Sequence, residues 1–244
     1  MPLFNLFLFL ITLAGGSLPL WLKGINEQKT NYILAFSGSF LLCITLLHLL
    51  PETFEELDHD AGIFVLAGFF IQLLIQRFTH GMEHGHVHAH PANDKHHHHI
   101  PLVSILAGLS IHAFMEGIPL GFNYRQHGTE SSLYLAVAAH KLPEAMLLTS
   151  LVYSVKGRKA ALLVLIAFSL ITPVGALLAD NLGKRYYRMS AIVMYVIPVV
   201  AGAFIHIATT IFFESGTRQH TLTWQKVVAI ALGVCIGLTT LMFE

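Results

Sequence analysis

Apolar residues run along this chain in long blocks separated by short polar stretches, a pattern set by a bilayer rather than by a globular core. A helix crossing the hydrocarbon layer needs about 20 predominantly apolar residues. Read at that length, the sequence predicts eight spans, at 2–22, 32–50, 61–77, 100–122, 133–155, 160–179, 191–213 and 226–243. Trp21, Tyr32, Tyr124, Tyr134, Tyr153, Tyr186, Tyr187 and Trp224 fall near the block ends, where amphipathic rings favour the headgroup region. Ala14, Gly15, Gly16 and Ser17 offer the small residues of a signal-peptide cleavage site, but no Lys or Arg precedes the first block, which is therefore read as a span. The expected fold class is all-α, an integral membrane protein with eight transmembrane helices in one domain over residues 1–244.

Composition strengthens this reading. Charged residues make up only 11% of the 244 and mean hydropathy is +0.65, whereas soluble domains carry about a quarter charged residues. Fourteen Lys and Arg balance fourteen Asp and Glu, so neither a nucleic-acid-binding surface nor an acidic solvating tail is indicated. Cys43 and Cys235 lie inside apolar blocks without a C-x-x-C motif, which excludes a disulfide framework and a zinc ribbon.

Orientation follows from the loops, because Lys and Arg are retained on the cytoplasmic side. One set holds Lys23, Lys29, Arg77, Lys95, Lys156, Arg158, Lys159, Arg218 and Lys226. The other holds Arg125, Lys184, Arg185 and Arg188, together with the acidic run Glu52, Glu55, Glu56, Asp58 and Asp60. Both termini are thus expected outside the cytoplasm, in a cell (inner) membrane, and the loop at about 78–99 inside, with the Lys184–Arg188 cluster pointing the other way. That loop carries nine of the sixteen histidines, with Glu83 and Asp94. Low in apolar residues and repetitive, it reads as disordered without metal. Its neutral imidazoles suit weak, multivalent binding of borderline divalent cations.

Close helix packing in lipid needs small residues at crossings. Gly117 with Gly121 and Gly233 with Gly237 have the four-residue spacing, and Gly15, Gly16, Gly38, Gly68 and Gly202 add more. Ser37–Phe40 in span 2 and Ala201–Phe204 in span 7 form a faint repeat on spans of opposite direction, so an inverted repeat of spans 1–3 and 6–8 is considered.

Ionisable groups inside the membrane are functional candidates, since even lenient insertion scales charge about 2.5–3.5 kcal/mol for each at the bilayer centre. Span 4 carries His112 and Glu116; span 5 carries His140, Lys141 and Glu144. Each His–Glu pair is four residues apart, on one helix face. Facing each other, the pairs would offer two imidazoles and two carboxylates, a set suited to Zn(II), Fe(II), Mn(II) or Cd(II). At the helical rise, His112 lies about 18 Å from the cytoplasmic start of its span and His140 about 13 Å from the outer start of its own, both near mid-bilayer. Pro119 and Pro143 free the carbonyls of Met115 and Ala139, four residues back.

With these residues in hand, the whole chain resembles the ZIP family of divalent metal transporters, many of which read H-N-x-P-E-G in span 4 and H-x-x-P-E-x in span 5. Here those segments are HAFMEG (His112–Gly117) and HKLPEA (His140–Ala145), and LLHLLPE (Leu46–Glu52) and SLITPVGALLA (Ser169–Ala179) also look like family segments. The resemblance implies a ZIP-like bundle that imports Zn(II), or a similar ion, by a transport domain moving against a scaffold. Some members hold a second metal through an Asn after the span 4 His, an acid or amide after the span 5 His and a Glu before the span 6 Pro. This chain has Ala113, Lys141 and Thr172 there, and Met115 ahead of Glu116 where Pro is usual. The Lys141 ammonium is therefore expected near Glu116 or Glu144, in place of a second ion.

His48, beside the acidic run, and His206, above Glu214, are further candidates for the route. The expected partners are a divalent metal ion as substrate and the lipid bilayer, with no nucleic acid and no cofactor; a homodimer is compatible. An exporter of the cation diffusion facilitator kind also pairs His with an acid on two spans. An intramembrane zinc hydrolase could use His112, His140 and Glu116 as ligands and Glu144 as base. No H-E-x-x-H is present, so the chain is read as a carrier and not an enzyme.

Overall fold

The computed structural model describes residues 2–22, 27–79, 102–122, 129–185, 187–214 and 223–242. These are helical almost throughout: α1 (Pro2–Trp21), α2 (Glu27–Ile44), a π-turn (Thr45–Leu49), α3 (Leu50–Leu57), α4 (Asp60–Thr79), α5 (Leu102–Phe122), α6 (Thr129–Arg185), α7 (Tyr187–Glu214) and α8 (Trp224–Thr240). Six helical stretches are long and apolar enough to cross a membrane, one of them running from Lys29 through the π-turn to Leu57; α8 is apolar but shorter. The histidine-rich segment from His80 to His99 lies outside the described residues.

Several helix ends differ from the expected boundaries. Span 2 continues to Leu57, so Glu52, Glu55 and Glu56 stand on a helix rather than in a loop. Pro51 would ordinarily break such a helix, because it lacks an N–H and its ring meets the carbonyl four residues back. The wider π-turn directly before it takes up the misfit, with the Leu50 N–H donating to the Thr45 carbonyl. Spans 5 and 6 are joined without a loop. They are two limbs of α6, parted at Gly157, whose φ of 80° and ψ of 178° form the one non-helical step in 57 residues. That backbone region is essentially reserved for glycine. The helix then runs to Arg185, so Lys184 is helical and pairs with Asp180 at 2.7 Å instead of standing in a loop.

Contacts are densest between α1 and α6, α5 and α6, α4 and α7, and α2 and α8. Glycines sit at the crossings. A Cβ on Gly68 of α4 would strike the Val199 carbonyl of α7, and one on Gly202 would strike the Val65 carbonyl in return. Gly117 and Gly121 bring α5 onto the second limb of α6 at Thr172 and Ala176, while Gly233 and Gly237 seat α8 on Phe36, Ser39 and Cys43 of α2. The four-residue glycine spacings thus mark true contacts, as close packing in lipid requires. Outward faces are apolar; on α4, Leu66, Phe70, Leu74 and Phe78 are exposed. Of the aromatic residues expected at the headgroups, Trp21, Tyr153 and Trp224 are exposed. Tyr134 is buried instead, its hydroxyl donating to Asn5 Oδ1 at 3.0 Å and its ring stacked on Phe4, because α1 covers this end of α6.

Candidate metal site

The deepest polar cluster joins α5 to the first limb of α6. His112 and Glu116 project from α5, and His140, Lys141 and Glu144 from α6; none is more than 1% exposed. The four-residue spacings place each His and Glu one turn apart on the face where the two helices meet. Neither Pro119 nor Pro143 interrupts its helix, and both are buried.

One ligand atom from each of His112, Glu116, His140 and Glu144 lies within 4.8 Å of all the others. His112 Nε2 is 3.1 Å from Glu116 Oε1 and 3.8 Å from Glu144 Oε1, and His140 Nε2 is 3.9 Å from Glu116 Oε1. The two rings stand edge to face, their centroids 6.1 Å apart. Both ring nitrogens of His140, Nε2 of His112 and Oε1 of Glu144 have no hydrogen-bond partner among the described residues. Buried polar atoms ordinarily find partners. His112 Nε2, His140 Nε2, Glu116 Oε1 and Glu144 Oε1, grouped and without aligned hydrogen bonds, could hold a cation.

Lys141 sits against the other side of the carboxylates. Its Nζ is 2.5 Å from Glu116 Oε2 and 2.5 Å from Glu144 Oε2, and 4.9 Å from the ring centre of Phe168 on the second limb of α6. It therefore touches both acids, where the sequence placed it near Glu116 or Glu144. Ala113 and Thr172 are engaged with each other: the Thr172 hydroxyl donates to the Ala113 carbonyl at 2.9 Å, tying α5 to the second limb of α6.

The other histidines join helices elsewhere. His48 Nε2 lies 2.8 Å from Thr240 Oγ1, linking the π-turn to the end of α8. His206 Nε2 lies 2.7 Å from Gln76 Oε1, and its ring meets the edge of Phe69, linking α7 to α4. Neither belongs to the four-residue group, and the Glu214 side chain lies outside the described residues. Phe168 escapes a reading of the sequence, since an aromatic among apolar residues carries no ligand signature, and the tie of Thr172 to Ala113 shows only once the helices are placed.

A family model described as ZIP zinc transporter matches residues 4–103 and 94–241, spanning nearly the entire chain. The chain belongs to the ZIP zinc transporter family. Membership makes it a transmembrane protein of divalent metal transport, consistent with the apolar helices and the buried His/Glu cluster. ZIP members are transporters rather than enzymes, which favours a carrier over the hydrolase reading. A comparison with curated proteins found no match.

Proposed function

We propose that this ZIP chain imports divalent cations, foremost Zn(II), into the cytoplasm, and that His112, Glu116, His140 and Glu144 hold the ion midway. The observation that carries this reading is the buried set of two imidazoles and two carboxylates within 4.8 Å. Mixed nitrogen and oxygen donors suit Zn(II) and also admit Fe(II), Mn(II) and Cd(II). Counting the two limbs of α6 and the shorter α8 gives eight crossings in a single domain, with both termini outside, the histidine-rich loop inside, and spans 1–3 and 6–8 as an inverted repeat. The packing supports a transport domain of α1, α5 and α6 moving against α2, α4, α7 and α8. An exporter would use the same site in reverse. A hydrolase is disfavoured by Lys141, whose ammonium in contact with both carboxylates makes either a weaker base for a zinc-bound water.

Zinc uptake into proteoliposomes, run beside hydrolysis of a lipid and peptide panel, tests the proposal. Saturable inward flux supports it; zinc-dependent hydrolysis without flux overturns it.

A further inference from the structure

Three formal charges meet at the buried site: the carboxylates of Glu116 and Glu144, and the ammonium of Lys141 in contact with both. Counting these three groups, the empty site carries one net negative charge, and the histidines, which bind metal in their neutral form, add none when it is loaded. Bound to a divalent cation, it carries one net positive charge. Without the ammonium, the same site would be doubly negative when empty and neutral when loaded. The cost of holding charge away from water grows as its square, so the doubly negative state would cost about four times as much as either singly charged one. Phe168 keeps the ammonium at the site through its ring face.

We infer that Lys141 is a tethered counter-ion that divides the charge of the transport cycle equally between the loaded and the empty carrier. The inference rests on the transport reading above. Its consequence is electrical. Moving one charge through the membrane field is worth about 2.3 kcal/mol per 100 mV. An interior-negative potential therefore draws the loaded, positive site inward and drives the empty, negative site outward. Both halves of the cycle are helped. Without Lys141 the loaded step is electroneutral, and the whole voltage dependence falls on the return of an empty, doubly negative site.

The test is isotopic zinc exchange in proteoliposomes of the full chain, with equal saturating zinc on both sides and a potential set by potassium and valinomycin. Only the loaded carrier cycles under these conditions. A singly charged loaded site makes exchange depend on potential, slowing it at either polarity by up to about fourfold at about 100 mV if it crosses the full field and its two orientations are equally populated at zero potential. Lys141→Met should make exchange insensitive to voltage, and Lys141→Arg should keep the sensitivity. Wild-type protein alone decides the matter if a variant fails to fold, because voltage-independent wild-type exchange overturns the counter-ion. Equal voltage dependence in wild type and Lys141→Met overturns it as well. Absence of any zinc flux in wild type would instead overturn the transport reading, and this inference with it.

Discussion

Removing one carboxylate at a time ranks the two acids. Glu116 Oε1 stands 3.1 Å from His112 Nε2 and 3.9 Å from His140 Nε2, whereas Glu144 has only His112 within that range, at 3.8 Å. Both acids touch Lys141 at 2.5 Å. Glu116→Ala should therefore do more harm than Glu144→Ala. Loss of a partner outside the coordination sphere already weakens metal sites about 10- to 100-fold. Loss of a ligand should cost at least about 100-fold at Glu116, or about 2.7 kcal/mol, and more than about tenfold at Glu144. Lys141 keeps one carboxylate in either variant, so the stability loss should stay near about 1–3 kcal/mol, below the about 3–5 kcal/mol of a fully stripped buried charge. Glu116→Gln keeps an oxygen and the volume while removing the charge, and should fall between wild type and Ala. Zinc titration calorimetry in detergent and zinc uptake at matched expression read both effects. Near-normal uptake by both Ala variants would refute the four-ligand site, and a reversed ranking would refute the geometry from which it was drawn.

Other perturbations test the scaffold and the loop. Gly157→Ala meets no neighbour within 4 Å, yet its φ of 80° is unsuited to a side chain; thermal unfolding should show a loss of about 1–3 kcal/mol from backbone strain alone. Gly68→Ala and Gly202→Ala would each press a methyl into the backbone of the facing helix, and each should cost about 1–3 kcal/mol or more in the same assay. Deleting residues 84–99 should leave zinc uptake measurable with a modest change in rate, since the four grouped ligands all lie elsewhere; complete loss in a correctly inserted deletion would place the loop in the pathway itself.

The sequence made the grouping of His112, Glu116, His140 and Glu144 readable, because a four-residue spacing fixes a helix face and the cost of buried charge singles out such residues. It also made the glycine crossings readable, since backbone contact in lipid admits little else. Helix ends were less legible. Pro51 and the acids after it look like the end of a span, and only the π-turn lets the helix continue to Leu57. Lys156, Arg158 and Lys159 look like a loop, yet a single glycine makes the bend, with Arg158 lying over the Trp21 ring at 4.5 Å. Tyr134 could not be told from a headgroup residue until α1 was seen to cover it. Lys141 was expected near Glu116 or Glu144, and the relative placement of α5 and α6 sets it between both.

The character of the helix contacts bears on how the site could move. Wherever a Cβ added to a described glycine would come within 3.0 Å of facing backbone, the contact joins α5 to α6, α4 to α7 or α2 to α8. Not one of these joins the set α1, α5 and α6 to the set α2, α4, α7 and α8. The closest glycine contact between the sets is Gly108 on α5, whose added Cβ would meet the Thr79 methyl of α4 rather than backbone. Backbone pressed on backbone fixes two helices in one register, because any slide drives a carbonyl into a neighbour that cannot rotate away. Side chains change rotamer and let one surface pass another. His112, Glu116, His140 and Glu144, together with Lys141 and Phe168, stand on α5 and α6, within the first set. Displacement of that set would therefore carry the proposed ligands and Lys141 as one body, keeping their mutual geometry while their access to water changes.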